Sequence, residues 1–141
     1  MLRRFFSPDS LWRDAGLSLI RIMVGLFMIY HGSEVFDKVL MNDYSKRLTD
    51  LHFPAPILMA YIGKTTEFVT GILFTLGLFT RLAAIALSIT MCIISFGMGE
   101  GRIFMEEQHP FLFVLLALVF FFSGPGKWSF DQALFGRSYK N

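Results

Sequence analysis

Four long apolar segments dominate this chain and restrict the folds open to it. A bilayer core about 30 Å thick requires about 20 mostly apolar residues in a transmembrane helix. The sequence therefore predicts an all-α, four-transmembrane-helix bundle that forms a single membrane domain over residues 1–141. The fourth segment is the shortest, and its first turn is expected within residues 106–109. The predicted spans are residues 15–35, 57–79, 82–98 and 108–123.

The composition agrees with lipid as the surrounding solvent. Hydrophobic residues make up 54% of the chain and charged residues 17%, and the mean hydropathy is +0.54. A soluble domain of this size carries about 25–35% charged residues on its surface. The net charge of +2 does not indicate nucleic acid, because the basic residues lie between the apolar segments and not on one face. A single cysteine, Cys92, excludes an internal disulfide or thiol relay.

The connection between the first two spans, residues 36–56, is predicted to contain a short amphipathic helix at the membrane interface. Its basis is the helical spacing of Tyr44, Leu48 and Leu51 among charged residues. Such a helix would lie against the ends of the spans instead of crossing the bilayer.

A second connection is much shorter. Thr80 and Arg81 are predicted to form a tight turn between the second and third spans, which makes those two helices antiparallel neighbours. Gly124 and Pro125 are predicted to end the fourth helix, since neither residue type continues a helix readily.

Basic residues are more frequent on one side of the predicted bundle. The N-terminal segment, the second loop and the C-terminal tail hold seven Lys and Arg, against four on the other side. Short loops rich in Lys and Arg remain in the cytoplasm. The chain is therefore predicted to be a multi-pass protein of the inner membrane with both termini in the cytoplasm. The seven are Arg3, Arg4, Arg13, Arg81, Lys127, Arg137 and Lys140, and the four are Lys38, Lys46, Arg47 and Arg102.

Two charged residues stand out inside the predicted spans, where a charge costs about 2.5–3.5 kcal/mol at the helix centre. Glu67 lies midway along the second span, with Gly63 and Gly71 one turn to either side. Arg21 lies in the first span, one turn before Gly25. Small residues allow two helices to approach closely. Because these helices are antiparallel, we expect an ion pair between Arg21 and Glu67.

That predicted pair has two interpretations. It is either a structural link between the first two helices or the polar end of a ligand or proton site. In the second case His31, near the end of the first span, is a further candidate. A buried carboxyl group beside a cation can hold or release a proton, and perturbed groups of this kind are common in functional sites.

A metal site is a weaker hypothesis. His31 and Glu34 are three residues apart, and Glu106 and His109 repeat that spacing in reverse order. Facing pairs of this type build carboxylate and histidine metal sites in helical bundles. At a membrane interface, however, such side chains are ordinarily hydrated, and short spacings match by chance. No metal is predicted, and these four residues remain weak candidates.

Three motifs follow one another along the chain. The first consists of Arg21, Gly25, His31 and Gly32; the second of Glu67, Gly71 and residues 77–83, which include Thr80 and Arg81; and the third of residues 124–131, with Gly124, Pro125 and Asp131. Each is weak alone, but together they extend from Arg21 to Asp131 and resemble the motifs of the DoxX family of small four-helix membrane proteins.

The resemblance implies a membrane subunit or partner of a redox complex. One family member is the membrane subunit of an archaeal thiosulfate:quinone oxidoreductase. A quinone is accordingly the candidate cofactor, with Glu67, Arg21 and His31 around it. The implied partners are the lipid bilayer, a soluble oxidoreductase or second membrane subunit, and a second copy of the chain. Whether the chain itself catalyses a reaction stays open.

Two other functions are compatible with the same sequence. One is a non-catalytic scaffold that docks partners through the apolar fourth helix, and the other is a small oligomeric transporter. Under each of these three functions, the motif residues at the turns, such as Thr80, Arg81 and Gly124, are expected to have structural roles. Asp131 is expected to cap the C-terminal segment or to pair with Arg81.

Overall fold

The computed structural model describes residues 13–99 and 101–136, and all regular structure in this part of the chain is helical. The predicted all-α class is thereby confirmed. A 3-10 turn at Ser33–Phe36 follows the first helix, and a π-helical turn at Ile93–Met98 extends the fourth. The helices are α1 (Arg13–Gly32), α2 (Lys38–Asp50), α3 (Pro56–Leu76), α4 (Thr80–Cys92), α5 (Gln108–Ser123) and α6 (Phe130–Phe135).

Three helical segments are long and apolar enough to cross a membrane, namely Arg13–Phe36, Pro56–Leu76 and Thr80–Met98. Helix α5 is shorter, and its 16 residues extend about 24 Å. In the bundle α1 packs along α3, and α4 packs along both α3 and α5. Large apolar side chains are exposed on the outer surfaces of these helices, as expected of a bundle surrounded by lipid.

Helices α1 and α3 pack with their backbones nearly in contact. A Cβ atom added to Gly71 would lie 2.8 Å from the carbonyl oxygen of Gly25. A Cβ atom on Gly32 would overlap the backbone of Phe68. Gly63, by contrast, has no neighbouring atom within 4 Å of such a position. Of the two glycines that flank Glu67, only Gly71 therefore lies at the close contact between α1 and α3.

The buried hydrophobic residues of the described chain form two cores. The larger core joins all four long helices and includes Met28, Phe74, Leu87 and Phe120. The smaller core lies beneath α2 and consists of Met41, Leu48 and Ala60, with Tyr44, Phe53, Met59 and Met98 packed against it. The predicted helix between the first two spans is therefore present, and its buried face holds it against α3 and the π-helical turn.

The turn between α3 and α4 lies earlier than predicted. Gly77 adopts the left-handed conformation, with φ of 67°, and ends α3 at Leu76. Its N–H bonds the carbonyl of Phe74 at 3.1 Å, and the N–H of Leu78 bonds that of Leu73 at 3.0 Å, which is the Schellman pattern. Thr80 and Arg81 are consequently the first residues of α4 and not the turn itself.

The N-terminus of α4 is capped from the far end of the chain. The carboxylate of Asp131 accepts hydrogen bonds from the N–H groups of Phe79 at 2.7 Å and Thr80 at 2.9 Å. The N–H of Asp131 in turn donates to the carbonyl of Gly77 at 2.9 Å. The C-terminal segment is thereby fixed across the turn between α3 and α4.

Both roles predicted for Asp131 were wrong. Helix α6 is capped by Ser129, whose hydroxyl accepts from the N–H of Gln132 at 3.1 Å. Arg81 donates from Nε to the carbonyl of Phe121 at 3.2 Å, near the end of α5. The physical reason is that the first N–H groups of α4 lack partners within their own helix and attract the nearest carboxylate.

Replacing Asp131 with Ala is expected to lower the free energy of unfolding by about 1 kcal/mol, the usual value of a side-chain cap. Equilibrium unfolding in detergent, followed by circular dichroism, measures this difference. The control is Asp43→Ala, which removes an exposed carboxylate whose nearest cation is 3.8 Å away. Equal stability of the Asp131→Ala variant and the wild type would contradict the capping role.

The two ends of the bundle differ in their basic residues. Lys127 bonds Asp14 at 2.8 Å, which places the segment after α5 beside the start of α1. Arg81 lies at this end, whereas Lys38, Lys46 and Arg47 on α2 lie at the other. Four other basic residues on which the orientation prediction relied lie outside the described residues, namely Arg3, Arg4, Arg137 and Lys140.

Candidate functional site

Arg21 is buried, with 1% of its surface exposed, but it does not pair with Glu67. Its Nε donates to the carbonyl of Phe74 at 2.8 Å, and its two terminal nitrogens donate to the carbonyls of Pro125 and Trp128, the latter at 2.6 Å. Phe74 lies two turns beyond Glu67 along α3, a separation of about 10 Å. The predicted ion pair is therefore wrong.

The hydrogen-bond partners of Arg21 explain why its guanidinium group can remain charged inside the bundle. A guanidinium group carries five N–H donors and no acceptor, so a set of carbonyl oxygens satisfies it well. These carbonyls come from α3 and from the loop after α5, which Arg21 joins to α1. The geometry is that of a structural clamp at the end of the bundle where Asp131 also lies.

The partner of Glu67 is Lys64, one turn earlier on the same face of α3. Lys64 Nζ lies 3.0 Å from Glu67 Oε2 and 2.8 Å from Glu34 Oε2. The hydroxyl of Tyr44 donates to the same Glu34 oxygen at 2.6 Å. Lys64 Nζ also lies 4.8 Å from the centre of the Tyr44 ring, within the range of a cation–π contact. We refer to these four residues as the Lys64 cluster.

Three elements bring the Lys64 cluster together. Glu34 is on the 3-10 turn after α1, Tyr44 is on α2, and Lys64 and Glu67 are on α3. Glu67 is 3% exposed, whereas the side chains of Lys64 and Glu34 retain 14% and 24% exposure. The cluster therefore runs from a buried carboxyl group toward the end of the bundle covered by α2.

Tyr44 is the member of the cluster that α2 supplies. Burial of its ring, together with the hydrogen bond to Glu34, raises the pKa of the Tyr44 phenol above its ordinary value. The phenol is therefore protonated at neutral pH and acts as the hydrogen-bond donor to Glu34. This bond ties α2 to the end of α1.

A cavity of about 430 Å³ opens beside the Lys64 cluster, between α1, α2, α3, the end of α4 with the π-helical turn, and the start of α5. Its volume lies within the usual range for small-molecule sites, about 300–1,000 Å³. Gly63 forms part of its wall, which explains the open space around that residue. A π-helical turn in the wall is also frequent at functional sites. The apolar lining includes Met28, Phe53, Met59, Met91, Met98 and Phe113.

The structure separates the residues that the sequence placed together. Glu67 and His31 both line the cavity, whereas Arg21 lies at the opposite end of the bundle. Of the weak metal candidates, Glu106 and His109 line the cavity with His31, and Glu34 belongs to the Lys64 cluster. Within residues 13–99 and 101–136, no group of three or more His, Cys, Asp or Glu side chains could hold a metal ion.

Sequence reasoning missed two members of the cluster. Lys64 could have been found, because it lies three residues before Glu67, a spacing that brings opposite charges together on one helical face. Tyr44 carried no comparable signal. Its role depends on how α2 folds back on α3, which periodicity within α2 does not specify.

Comparison with known proteins gives a consistent result. The family model for DoxX matches residues 16–99. An uncharacterized protein of Haemophilus influenzae is 31% identical over 131 residues, which cover 88% of this chain and 94% of that protein. An uncharacterized membrane protein of Mycobacterium tuberculosis is 34% identical over 137 residues, covering 84% and 81%. No solved structure matches the chain significantly. With most of the chain matched by the family model, this membrane protein belongs to the DoxX family.

Proposed function

We propose that this protein is the membrane component of a redox assembly and binds a quinone in the cavity beside the Lys64 cluster. The observation that carries the proposal is the cavity itself, which joins apolar walls to a buried group of charged side chains. Sites for small ligands have this character, with a few placed polar groups in a mainly hydrophobic lining.

The chemistry of a quinone suits both parts of the cavity. Its ring and isoprenoid tail would contact Met28, Met91 and Phe113, and the flexible thioether side chains adapt to the shape of such a ligand. Its carbonyl oxygens accept hydrogen bonds, and the ring of His31, which lines the cavity, can donate one. Arg21, the third candidate from the sequence, is excluded from this site by its distance.

Reduction of a quinone to a quinol consumes two electrons and two protons. We infer that the electrons come from a partner, either a soluble oxidoreductase or a second membrane subunit. The exposed apolar face of α5, which includes Leu112, Leu115 and Phe122, is available to such a subunit or to a second copy of the chain. In the proposed inner-membrane orientation both termini are cytoplasmic, and the cavity lies toward the opposite side.

Filling the cavity from its wall is expected to weaken quinone binding at least tenfold, or about 1.4 kcal/mol. The variant is Gly63→Leu, because a side chain at this position enters the cavity without meeting other atoms first. Gly16→Leu is the matched control, since Gly16 is an exposed helical glycine with equally open surroundings at the other end of the bundle. Spectroscopic titration of the purified protein with a short-chain ubiquinone analogue measures both affinities.

A Glu67→Leu variant extends the same titration to the polar end of the cavity. Lys64 keeps Glu34 as its partner in this variant, so no cation is left unpaired. We expect binding about tenfold weaker, because one of the few polar groups that orient the ligand is lost. If the folded wild type does not bind the analogue, or if Gly63→Leu binds it as well as Gly16→Leu, the quinone proposal fails. The non-catalytic scaffold would then be favoured.

A further inference from the structure

The Lys64 cluster contains more acidic groups than basic ones. With every group ionised, the carboxylates of Glu34 and Glu67 carry two negative charges, and Lys64 supplies one positive charge. An uncompensated charge inside a membrane protein is costly, and proteins commonly avoid it by binding a proton. The charge balance of the cluster therefore calls for one additional positive charge.

The other charged groups facing the cavity do not supply this charge by direct contact. From α1 and α2 these are His31 and Arg47, both exposed and neither within 4 Å of the Glu34 or Glu67 carboxylate. Around the start of α5 the wall provides Glu106, Glu107 and His109. Within the described residues, no hydrogen bond or ion pair joins Glu106 or His109 to a carboxylate of the cluster.

The two carboxyl groups of the cluster differ in their ability to hold a proton. Glu34 Oε2 accepts two hydrogen bonds, from Tyr44 at 2.6 Å and from Lys64 at 2.8 Å, and such donors stabilise the ionised form. From the part of the chain that the structure describes, Glu67 receives only the bond from Lys64, at 3.0 Å, and it is more deeply buried. Glu67 is therefore the better site for the proton.

We propose that Glu67 is a neutral carboxylic acid in the resting protein and presents its O–H group to the ligand in the cavity. Lys64 occupies Oε2, so Oε1 is the oxygen left for the proton, and Glu67 lines the cavity. A neutral acid of this kind is a hydrogen-bond donor to a ligand that carries a carbonyl oxygen. A neutral acid also repels an anionic ligand less strongly than a carboxylate does.

The identity of the proton acceptor rests on the proposed function, whereas the protonation of Glu67 does not. During reduction of a bound quinone by two electrons from the redox partner, the O–H bond at Glu67 breaks and an O–H bond forms on one quinone oxygen. The second proton comes from the bulk aqueous phase, conducted by water at the mouth of the cavity. Lys64, which is partly exposed and donates a hydrogen bond to Glu67, then transfers a proton to the Glu67 carboxylate and takes up a proton from the aqueous side.

Infrared spectroscopy of the full chain in lipid nanodiscs, at neutral pH and without ligand, tests the protonation directly. We expect the wild type to show the C=O stretching band of a protonated carboxylic acid and Glu67→Gln to lose it. Glu34→Gln should also lose the band, although Glu67 is still present, because Lys64 then fully compensates one carboxylate. Asp43→Asn, which alters an exposed carboxylate on α2, should retain the band.

Absence of the band from the wild type, or its persistence in Glu67→Gln, would overturn the proposal. Its persistence in Glu34→Gln would overturn the charge balance on which the proposal rests. If Glu67→Gln does not fold, the Glu34→Gln variant and the loss of the wild-type band at alkaline pH decide the question. A band that is present but does not shift when the ubiquinone analogue is added would count against the quinone and leave the protonation of Glu67 intact.

Discussion

Replacing Arg21 with Met is expected to lower the free energy of unfolding by about 3 kcal/mol, because hydrogen bonds to a charged group contribute about 1.5–3 kcal/mol and a buried acceptor left without a donor costs about 1–3 kcal/mol. The substitution preserves most of the side-chain volume but removes the Arg21 donor from the carbonyls of Pro125 and Trp128. The carbonyl of Phe74 loses one of its two donors and keeps the N–H of Gly77. Buried acceptors that lose a donor carry a cost of desolvation. Unfolding of the purified protein in mixed micelles, followed by circular dichroism, measures the loss.

The control for Arg21 is Lys127→Met. Lys127 lies at the same end of the bundle, but its side chain is 76% exposed and its pair with Asp14 is at the surface. Exposed ion pairs contribute about 0–1 kcal/mol, so this variant should unfold close to the wild type. A similar, small effect for both substitutions would show that Arg21 is not a clamp between α1, α3 and the loop after α5.

Replacing Gly71 with Ala is expected to destabilise the bundle by about 1–3 kcal/mol, the usual cost of overpacking. The added methyl group would lie 2.8 Å from the carbonyl oxygen of Gly25, and backbone atoms cannot move aside as a flexible side chain can. The two helices must separate instead, which also weakens the packing of Gly32 against Phe68.

The same substitution at Gly63, on the same helix, provides a matched comparison. Its methyl group meets no atom within 4 Å, and Ala favours a helix over Gly by about 1 kcal/mol. Gly63→Ala is therefore expected to be as stable as the wild type or slightly more stable. If Gly71→Ala and Gly63→Ala unfold alike in the same assay, the close contact between α1 and α3 is not a source of stability.

Much of the fold follows from properties that extend along the sequence. The length of the apolar segments predicts the helices, and the amphipathic spacing around Tyr44 predicts α2. The position of the turn after α3 was less accessible, because it depends on Gly77 adopting a left-handed conformation while Thr80 is already helical. Glycine permits that conformation but does not require it.

The candidate site was only partly predictable. Glu67 was identified from the cost of a charge in a membrane, and the same argument applied to Lys64 would have found its partner. Arg21 was identified for the same reason but assigned the wrong partner, because its acceptors are backbone carbonyls. Every residue has a carbonyl group, so no residue type in the sequence marks Pro125 or Trp128 as the acceptors.

The clamp at Arg21 also has a consequence for biosynthesis. Its acceptor Pro125 is 104 residues further along the chain, a distance that translation at about 5–20 residues per second covers in roughly 5–20 s. During that interval the first helix has entered the membrane with a guanidinium group that lacks its later partners. The long side chain of Arg21 can reach the headgroup region in the meantime. The burial of a charge that enters the bilayer with α1 is therefore completed only after the segment that follows α5 has been synthesised.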